Sequence, residues 1–232
     1  MFNFFNLLIW YGKKERLIEN FIDMGRNKIF AALHAGSLET IFRGGFPSAL
    51  ECRDVLFYPD GISVVLIMRR WGARKVERIP TTDVGWNFLN SLKLDERKIA
   101  IIGGDKVLNA QSKVIFQKNG FEVIWNFDGF EELNSPFERA LTEPDCIIVG
   151  LGMPLELQYS LKLKRSYPNS RIFTCGGWLG FVTGNESRAP EIFQKLGGEW
   201  LWRLLLNPRR LTKRYVKAFN YFLLALVKKP SC

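Results

Sequence analysis

Histidine is almost absent from this chain, which contains His34 alone among its 232 residues. The four cysteines, Cys52, Cys146, Cys175 and Cys232, form no CxxC pair, so together with one histidine they offer no zinc constellation. Cys146 and Cys175 stand inside apolar runs, where a thiol is most simply a small hydrophobe. This cysteine usage fits a reducing, cytoplasmic setting.

Long hydrophobic runs and familiar phosphate motifs are missing too. No stretch reaches the roughly 18 apolar residues that span a bilayer, and the apolar residues 1–11 lack the basic n-region and cleavage site of a signal peptide. The sequence contains no P-loop, no GxGxxG and no Asp-x-Asp metal motif. We therefore expect a chain that can lie on a membrane without crossing it.

Positive charge is plentiful. The 33 lysines and arginines exceed the 23 aspartates and glutamates, which gives a net charge of +10. This excess indicates an anionic partner, whether a nucleic acid, an acidic membrane surface or a phosphorylated substrate. No recognised nucleic-acid motif accompanies the charge, so we do not expect a nucleic-acid-binding domain. A composition of 47% hydrophobic and 24% charged residues is typical of a folded globular protein.

Short apolar runs alternate with helical segments along most of the chain. Runs that are apolar throughout and separated by helices are typical of a parallel sheet covered on both faces. The sequence therefore predicts an α/β core over residues 1–190, with a Rossmann-like, mostly parallel sheet sandwiched by helices. The predicted strands are 28–33, 55–58, 98–102, 121–125, 146–152 and 171–175. The predicted helices are 13–27, 38–50, 62–71, 84–92, 107–118, 136–141 and 157–165.

Residues 191–232 differ in character and predict a basic, helical C-terminal appendage. Two helices, 191–206 and 208–227, contain no strand signal and mix basic with aromatic residues. Such a mixture on an amphipathic helix is the signature of a segment lying in a membrane interface. An ordinary helix that packs on the sheet and has a solvated outer face explains the pattern equally well.

Asp60 is the first candidate for chemistry. It follows the apolar run 55–58 and precedes Gly61, which places a carboxylate at the end of a buried strand, where α/β proteins build their active sites. A plain β-turn also accounts for Pro59-Asp60-Gly61, because all three residues are favoured in turns.

Three weaker candidates accompany Asp60. Gly103-Gly104, after a predicted strand, could present backbone N–H groups to a phosphate. His34 stands at a strand end, where it could bind a donor or serve the structure. Thr82 and Asp83 could contact substrate, and either could equally cap the helix 84–92.

The segments taken together resemble the bacterial glycosyltransferases of the WecG/TagA/CpsF family. The resemblance covers roughly residues 28–215 and consists of several motifs in order. Those motifs are Tyr58-Pro59-Asp60-Gly61, Glu77 to Asp83, Ile102-Gly103-Gly104, Asp128-Gly129-Phe130, Val149 to Pro154, Gly176-Gly177, Arg188-Ala189-Pro190, Glu199 to Leu204, Asn207 to Leu211 and Arg214-Tyr215.

The resemblance implies an inverting, metal-independent transfer of an N-acetylhexosamine-type sugar from a UDP donor, with no cofactor. The implied acceptor is a polyprenyl-diphosphate-linked sugar at the cytoplasmic, inner face of the cell membrane, in cell-surface polysaccharide synthesis. A peripheral enzyme on an anionic membrane surface is expected, and a homo-oligomer is compatible with the family. The sequence does not identify the donor sugar, the acceptor or the pathway.

The family pattern also assigns roles to residues. Asp60 takes the place of the proposed catalytic base, and the segment 203–214 that of an appendage closing over the donor diphosphate and touching the membrane. A carboxylate can remove the acceptor proton, and arginines can replace a metal on the diphosphate. The substrate-binding candidates are His34, Gly61, Thr82, Asp83, Gly103, Gly104, Pro154, Glu156, Gln158, Arg203, Arg209, Arg210 and Arg214.

The chain departs from the family at several polar positions. The family's Pro-x-Gln-Glu run appears as Pro154-Leu155-Glu156-Leu157, its Thr-x-Asn as Ala32-Leu33-His34, and a common aspartate as Gly180. Because Asp60, Asp83 and the arginines remain, altered specificity is the favoured interpretation. A catalytically degenerate member that binds a lipid-linked glycan or a partner enzyme is the alternative.

Overall fold

Eight strands, eleven α-helices and one short 3-10 helix (Glu51–Asp54) are found in the part of the chain that the computed structural model describes, residues 2–4, 7–43, 51–130, 133–138 and 141–228. The strands are β1 (Phe2–Phe4), β2 (Leu7–Ile9), β3 (Ile29–Leu33), β4 (Val55–Pro59), β5 (Lys98–Gly103), β6 (Glu122–Phe127), β7 (Cys146–Gly150) and β8 (Arg171–Thr174). The helices are α1 (Lys14–Asp23), α2 (Ala35–Phe42), α3 (Ile62–Arg70), α4 (Thr81–Ser91), α5 (Lys106–Lys118), α6 (Ser135–Glu138), α7 (Leu155–Ser166), α8 (Trp178–Val182), α9 (Glu191–Lys195), α10 (Glu199–Leu206) and α11 (Pro208–Val227).

The strands form one sheet in the order β1-β2-β4-β3-β8-β7-β5-β6. β1 runs antiparallel to β2, and every other neighbouring pair is parallel. The predicted α/β class with a mostly parallel, Rossmann-like sheet is therefore confirmed.

Helices cover both faces of the sheet because the strands are apolar on both faces. Alternate strand residues point to opposite sides, so Phe30 packs in one core and Ala31 in the other. The first core receives α1, α4, α5 and α8, and the second receives α2, α3 and α7. This two-sided burial is what the continuous apolar runs in the sequence predicted.

The carboxyl ends of β5 and β7 form a topological switch point. From β5 the chain runs outward through α5 to the edge strand β6, and from β7 it runs inward through α7 to β8. α5 and α7 pack on opposite faces of the sheet. Open α/β sheets bind ligands in the crevice that such diverging connections leave.

The C-terminal helix α11 packs along α2 and α3. Leu211, Ala218 and Ala225 are its buried residues, and Ala225 belongs to the same core as α2 and α3. Trp71 Nε1 donates to the Ala225 carbonyl at 2.8 Å, and Arg43 Nε donates to the Tyr221 hydroxyl at 2.9 Å. The inner face of this helix is thus an integral part of the packed structure.

Two helices begin earlier than predicted because of their caps. α2 begins at Ala35 instead of residue 38, since the His34 side chain caps it. α4 begins at Thr81, so Thr82 and Asp83 lie inside its first turn, and the prediction that either caps a helix 84–92 was wrong. The predicted end of α2 near Gly44-Gly45 falls outside the described residues.

Other differences concern short elements. The hairpin of β1 and β2 and the short helix α8 were not predicted. The predicted helix 191–206 is interrupted at Gly197-Gly198, which separates α9 from α10. The first turn of α10 then places the Glu199 carboxylate against Arg78.

A charged cluster lies at the opposite, amino-terminal edge of the sheet. Asp54, just before β4, binds Lys164 of α7 at 2.8 Å and contacts Lys28, which precedes β3. The hydrogen bonds from Lys164 and Lys28 lower the pKa of Asp54 to about 2. This carboxylate therefore joins two strands and a helix.

Candidate active site

Asp60 stands in a turn that is held against the end of the neighbouring strand β3. The N–H groups of Asp60 and Gly61 both donate to the Leu33 carbonyl, at 3.0 and 3.1 Å. A Cβ added to Gly61 would lie 3.0 Å from His34 Cα, so a larger residue would push the two strand ends apart. The Pro-Asp-Gly tripeptide is therefore a turn whose glycine lets Asp60 sit beside His34.

The Asp60 carboxylate lies at the N-terminus of α4. Its Oδ1 accepts the Thr81 N–H at 2.9 Å, and the N-cap residue Pro80 supplies no side-chain cap of its own. The unsatisfied N–H groups of a helix N-terminus favour negative charge. Asp60 thus caps a helix that begins 21 residues after it in the sequence.

Burial raises the pKa of Asp60. The Thr81 N–H and the positive charges of Arg78 and Arg203 act in the opposite direction, while the negative charge of Glu199 adds to the rise. The net result is a carboxyl group with a raised pKa at the carboxyl edge of the sheet. Such groups are candidates for general acid–base work.

Arg78 is the residue at this site that sequence reasoning missed. Its Nε donates to the Asp60 carbonyl at 2.9 Å, and its Nη2 pairs with the Glu199 carboxylate at the start of α10. The Arg78 side chain is only 19% exposed. Although Arg78 stands within the Glu77 to Asp83 motif, no local spacing distinguishes it from the other arginines.

An alternating series of charges continues outward from Arg78. Arg188 approaches Glu199 at 3.5 Å and pairs with Asp83 at 2.7 Å, and Asp83 also pairs with Lys14 at 3.4 Å. Asp83 is therefore engaged by two cations in the first turn of α4. Thr82 beside it is half-exposed.

The four candidate arginines of the appendage are distributed over α10 and α11. The guanidinium of Arg203 lies 4.9 Å from the centre of the Phe181 ring, and its charge acts on Asp60. Arg209 is exposed at the start of α11. The side chains of Arg210 and Arg214 fall outside what the structure describes.

His34 caps helix α2. Its Nδ1 accepts the Gly36 N–H at 3.0 Å, and its own N–H reaches the Ser37 hydroxyl at 3.4 Å. An accepting Nδ1 requires that the neutral ring carry its proton on Nε2. The single histidine therefore has a structural role here, close to Asp60 through its contact with Gly61.

Gly103 and Gly104 lie where β5 meets the end of β7. A Cβ on Gly103, whose φ is +133°, would lie 2.3 Å from the Gly150 carbonyl oxygen. At the N-terminus of α5, the Asp105 carboxylate already accepts the Leu108 N–H at 2.8 Å. Close strand packing thus accounts for the glycine at position 103. The N-terminus of α5, where a phosphate could bind, is already capped by the Asp105 carboxylate.

Glu156 and its neighbours occupy the start of α7. Glu156 is 1% exposed, and its Oε2 accepts the N–H groups of Gly152 and Gly176, both at 3.1 Å. It therefore joins the turns that follow β7 and β8. Pro154 and Gln158 line a cleft of about 430 Å³ between α2, α7 and α11.

Nine of the candidates thus fall into two groups on one edge of the sheet, and the others lie on α4 and α11. Asp60, Gly61, His34 and Arg203 surround the ends of β3 and β4, with Arg78 added by the structure. The second group surrounds the ends of β5, β7 and β8 and consists of Gly103, Gly104, Pro154, Glu156 and Gln158. Within the described ranges, no three histidine, cysteine, aspartate or glutamate side chains come together as metal ligands.

One family model matches residues 15–231, nearly the whole chain. The model is described as the glycosyl transferase WecG/TagA/CpsF family.

Proposed function

The chain belongs to the WecG/TagA/CpsF family of glycosyltransferases, which indicates sugar transfer in cell-surface polysaccharide synthesis, and on that premise we propose its reaction. The enzyme moves an N-acetylhexosamine-type sugar from UDP to a polyprenyl-diphosphate-linked sugar. The observation that supports this proposal is the Asp60 carboxylate, half-buried at the carboxyl edge of the sheet with a raised pKa and with Arg78 and Arg203 nearby.

Asp60 is the proposed general base. Its Oδ1 is held by the Thr81 N–H, and Oδ2 accepts no hydrogen bond from the described part of the chain. Oδ2 takes the proton of the acceptor hydroxyl as the acceptor oxygen bonds to the anomeric carbon and the bond to UDP breaks. A single displacement of this kind inverts the anomeric configuration.

Arginines are the proposed partners of the departing diphosphate. Planar guanidinium groups bind phosphate oxygens in pairs and stabilise the charge that grows on them. Arg203 lies beside the Asp60 site, and Arg209, Arg210 and Arg214 follow on α11. Metal independence is part of the proposal, and we expect UDP release to persist in excess EDTA.

The outer surface of the C-terminal helices supports a membrane-bound location. α11 carries a second apolar stripe opposite its buried face, formed by Val216, Phe219, Leu223 and Val227. The exposed Lys213 and Lys217 lie along one side of this stripe, and Trp200 and Leu205 of α10 are also exposed. Apolar stripes bordered by cations lie in anionic interfaces. We propose that this surface rests on the cytoplasmic face of the cell membrane.

No helix in the described ranges is long and apolar enough to cross a bilayer.

A catalytically degenerate member is the second candidate function. The buried Glu156, at a position where the family has an amide, bonds two backbone N–H groups, and His34 caps a helix. Both polar positions therefore have structural partners. A protein that binds a lipid-linked glycan without turnover would retain these structural contacts of Glu156 and His34.

Release of UDP separates the two candidates. Purified protein is incubated with a panel of UDP-sugars and a lipid-diphosphate-sugar acceptor, alongside Asp60→Asn and the exposed-surface control Asp95→Asn. Asparagine keeps the acceptor for the Thr81 N–H, so the fold is preserved. We expect Asp60→Asn to lose about 100-fold or more of the rate and the control to match wild type. Absence of UDP release from every donor would support the degenerate candidate.

A further inference from the structure

The first turn of α10 reaches the general base through one arginine. Arg78 binds the Asp60 carbonyl with its Nε at 2.9 Å and the Glu199 carboxylate with its Nη2. Arg78 and Glu199 are 19% and 16% exposed, so water screens this pair only in part. One guanidinium therefore spans the Asp60 turn and the C-terminal helices.

A second set of contacts fixes the same junction. The Gly197 backbone, just before α10, packs on the Ile62 side chain, two residues after Asp60. Arg188 also approaches the Glu199 carboxylate at 3.5 Å. Glu199 lies at the N-terminus of α10, where the helix favours a negative charge. The contacts that dock α10 are thus the same contacts that hold Arg78 in place.

We infer that Glu199 is a positioning residue that holds Arg78 against the Asp60 turn, so that the placement of the general base depends on docking of α10. The inference rests on the proposed function only for its kinetic consequence. Its structural content is that Glu199, on a helix outside the α/β sheet, keeps the Arg78 guanidinium on the Asp60 carbonyl.

The charged groups that face Asp60 determine whether a substitution raises or lowers its pKa. From α10, Glu199 raises the pKa of Asp60 and Arg203 lowers it, and from the segment before α4, Arg78 lowers it. The Thr81 N–H also lowers the pKa. The remaining neighbours that can carry charge are Tyr58 of β4 and His34 at the start of α2.

Two charge-removing variants therefore move the Asp60 titration in opposite directions. Glu199→Gln keeps a hydrogen-bond acceptor for Arg78 but removes the negative charge, so the pKa of Asp60 falls. Glu199→Ala removes the acceptor too, so Arg78 is released from the Asp60 turn and the pKa of Asp60 rises above its value in Glu199→Gln. Arg78→Gln removes the positive charge, so the pKa rises. We expect each shift to lie between a few tenths and about one unit.

The titration is read directly by NMR of carboxyl-¹³C-aspartate-labelled full-length protein, with the Asp60 resonance assigned from Asp60→Asn. Glu191→Gln is the matched control. It removes the same charge from neighbouring α9, where Glu191 pairs only with Lys195 at 3.3 Å and is 79% exposed. We expect no shift in this control. Circular dichroism of each variant verifies that the helices remain folded.

The outcomes distinguish the inference from the proposed function. A higher pKa of Asp60 in Glu199→Ala than in Glu199→Gln supports the inference, whether or not UDP is released. Equal Asp60 titrations in Glu199→Ala and Glu199→Gln overturn it, because Arg78 then keeps its place without an acceptor at position 199. In an active enzyme, kcat for Glu199→Gln should fall by up to about threefold as the base weakens, while KM for the donor stays within about twofold. If the wild-type protein releases no UDP but the titration differences are observed, only the proposed function is refuted.

Discussion

The Asp54 clamp at the amino-terminal edge of the sheet should make stability depend on acidic pH. Its pKa of about 2 lies below the ordinary 3.8, and a difference of that size corresponds to roughly 2 kcal/mol. Water screens part of this interaction, because the Asp54 and Lys28 side chains are 19% and 27% exposed. We therefore expect Asp54→Asn to lower the free energy of unfolding by about 1–2 kcal/mol at pH 7.

The sign follows from the lowered pKa of the folded state. A carboxyl that is more acidic in the folded protein than in the unfolded chain contributes its full stabilisation above pH 3.8. That stabilisation is lost as the pH falls from about 4 to about 2. Wild type and Asp54→Asn should therefore converge in stability over this range.

Urea denaturation monitored by tryptophan fluorescence, at pH values from 2 to 7, measures the difference. Added salt should reduce it, since the pair is partly exposed. The control Glu191→Gln removes an exposed ion pair and should stay within about 0.5 kcal/mol of wild type. A difference between wild type and Asp54→Asn that is as large at pH 2 as at pH 7 would refute the electrostatic account.

The remaining predictions concern the glycine contact, the histidine cap and the apolar stripe. Gly103→Ala should cost roughly 3 kcal/mol or more in urea denaturation, because its Cβ meets the Gly150 carbonyl; Gly72→Ala, at φ +115° with open space, should cost only about 1 kcal/mol. His34→Ala should lose about 1 kcal/mol of stability, whereas His34→Asn, which can also cap α2, should lose less. Phe219→Ser with Leu223→Ser should weaken co-sedimentation with anionic vesicles about tenfold, while the similarly exposed apolar pair Val107→Ser with Val114→Ser on α5 should leave it unchanged.

The sheet could be predicted from the sequence because its strands are apolar on both faces. The runs that became β5 and β7 are bounded by charged residues and glycines, which marks their ends locally. Asp60 could be proposed for a similar reason, since a carboxylate directly after a buried run is a local signal. The hairpin of β1 and β2 is too short to give such a signal.

The missed features depend on distant partners. The start of α4 is set by Asp60, 21 residues before its first residue, and no propensity of Thr82 or Asp83 reveals that bond. Arg78 owes its position to Asp60 and Glu199, 18 and 121 residues away. A basic residue in a basic chain carries no signal that separates it from its neighbours until the fold brings its partners together.

The pH dependence of kcat/KM for UDP-sugar turnover tests the proposed role of Asp60 most directly. If the Asp60 carboxylate is the base, kcat/KM rises with pH through an apparent pKa above 3.8, because burial raises the pKa of this group. The rise of kcat/KM with pH should be absent from Asp60→Asn, whose residual rate stays low at every pH. An Asp60→Asn enzyme that keeps the wild-type rate and the wild-type pH profile would contradict the account.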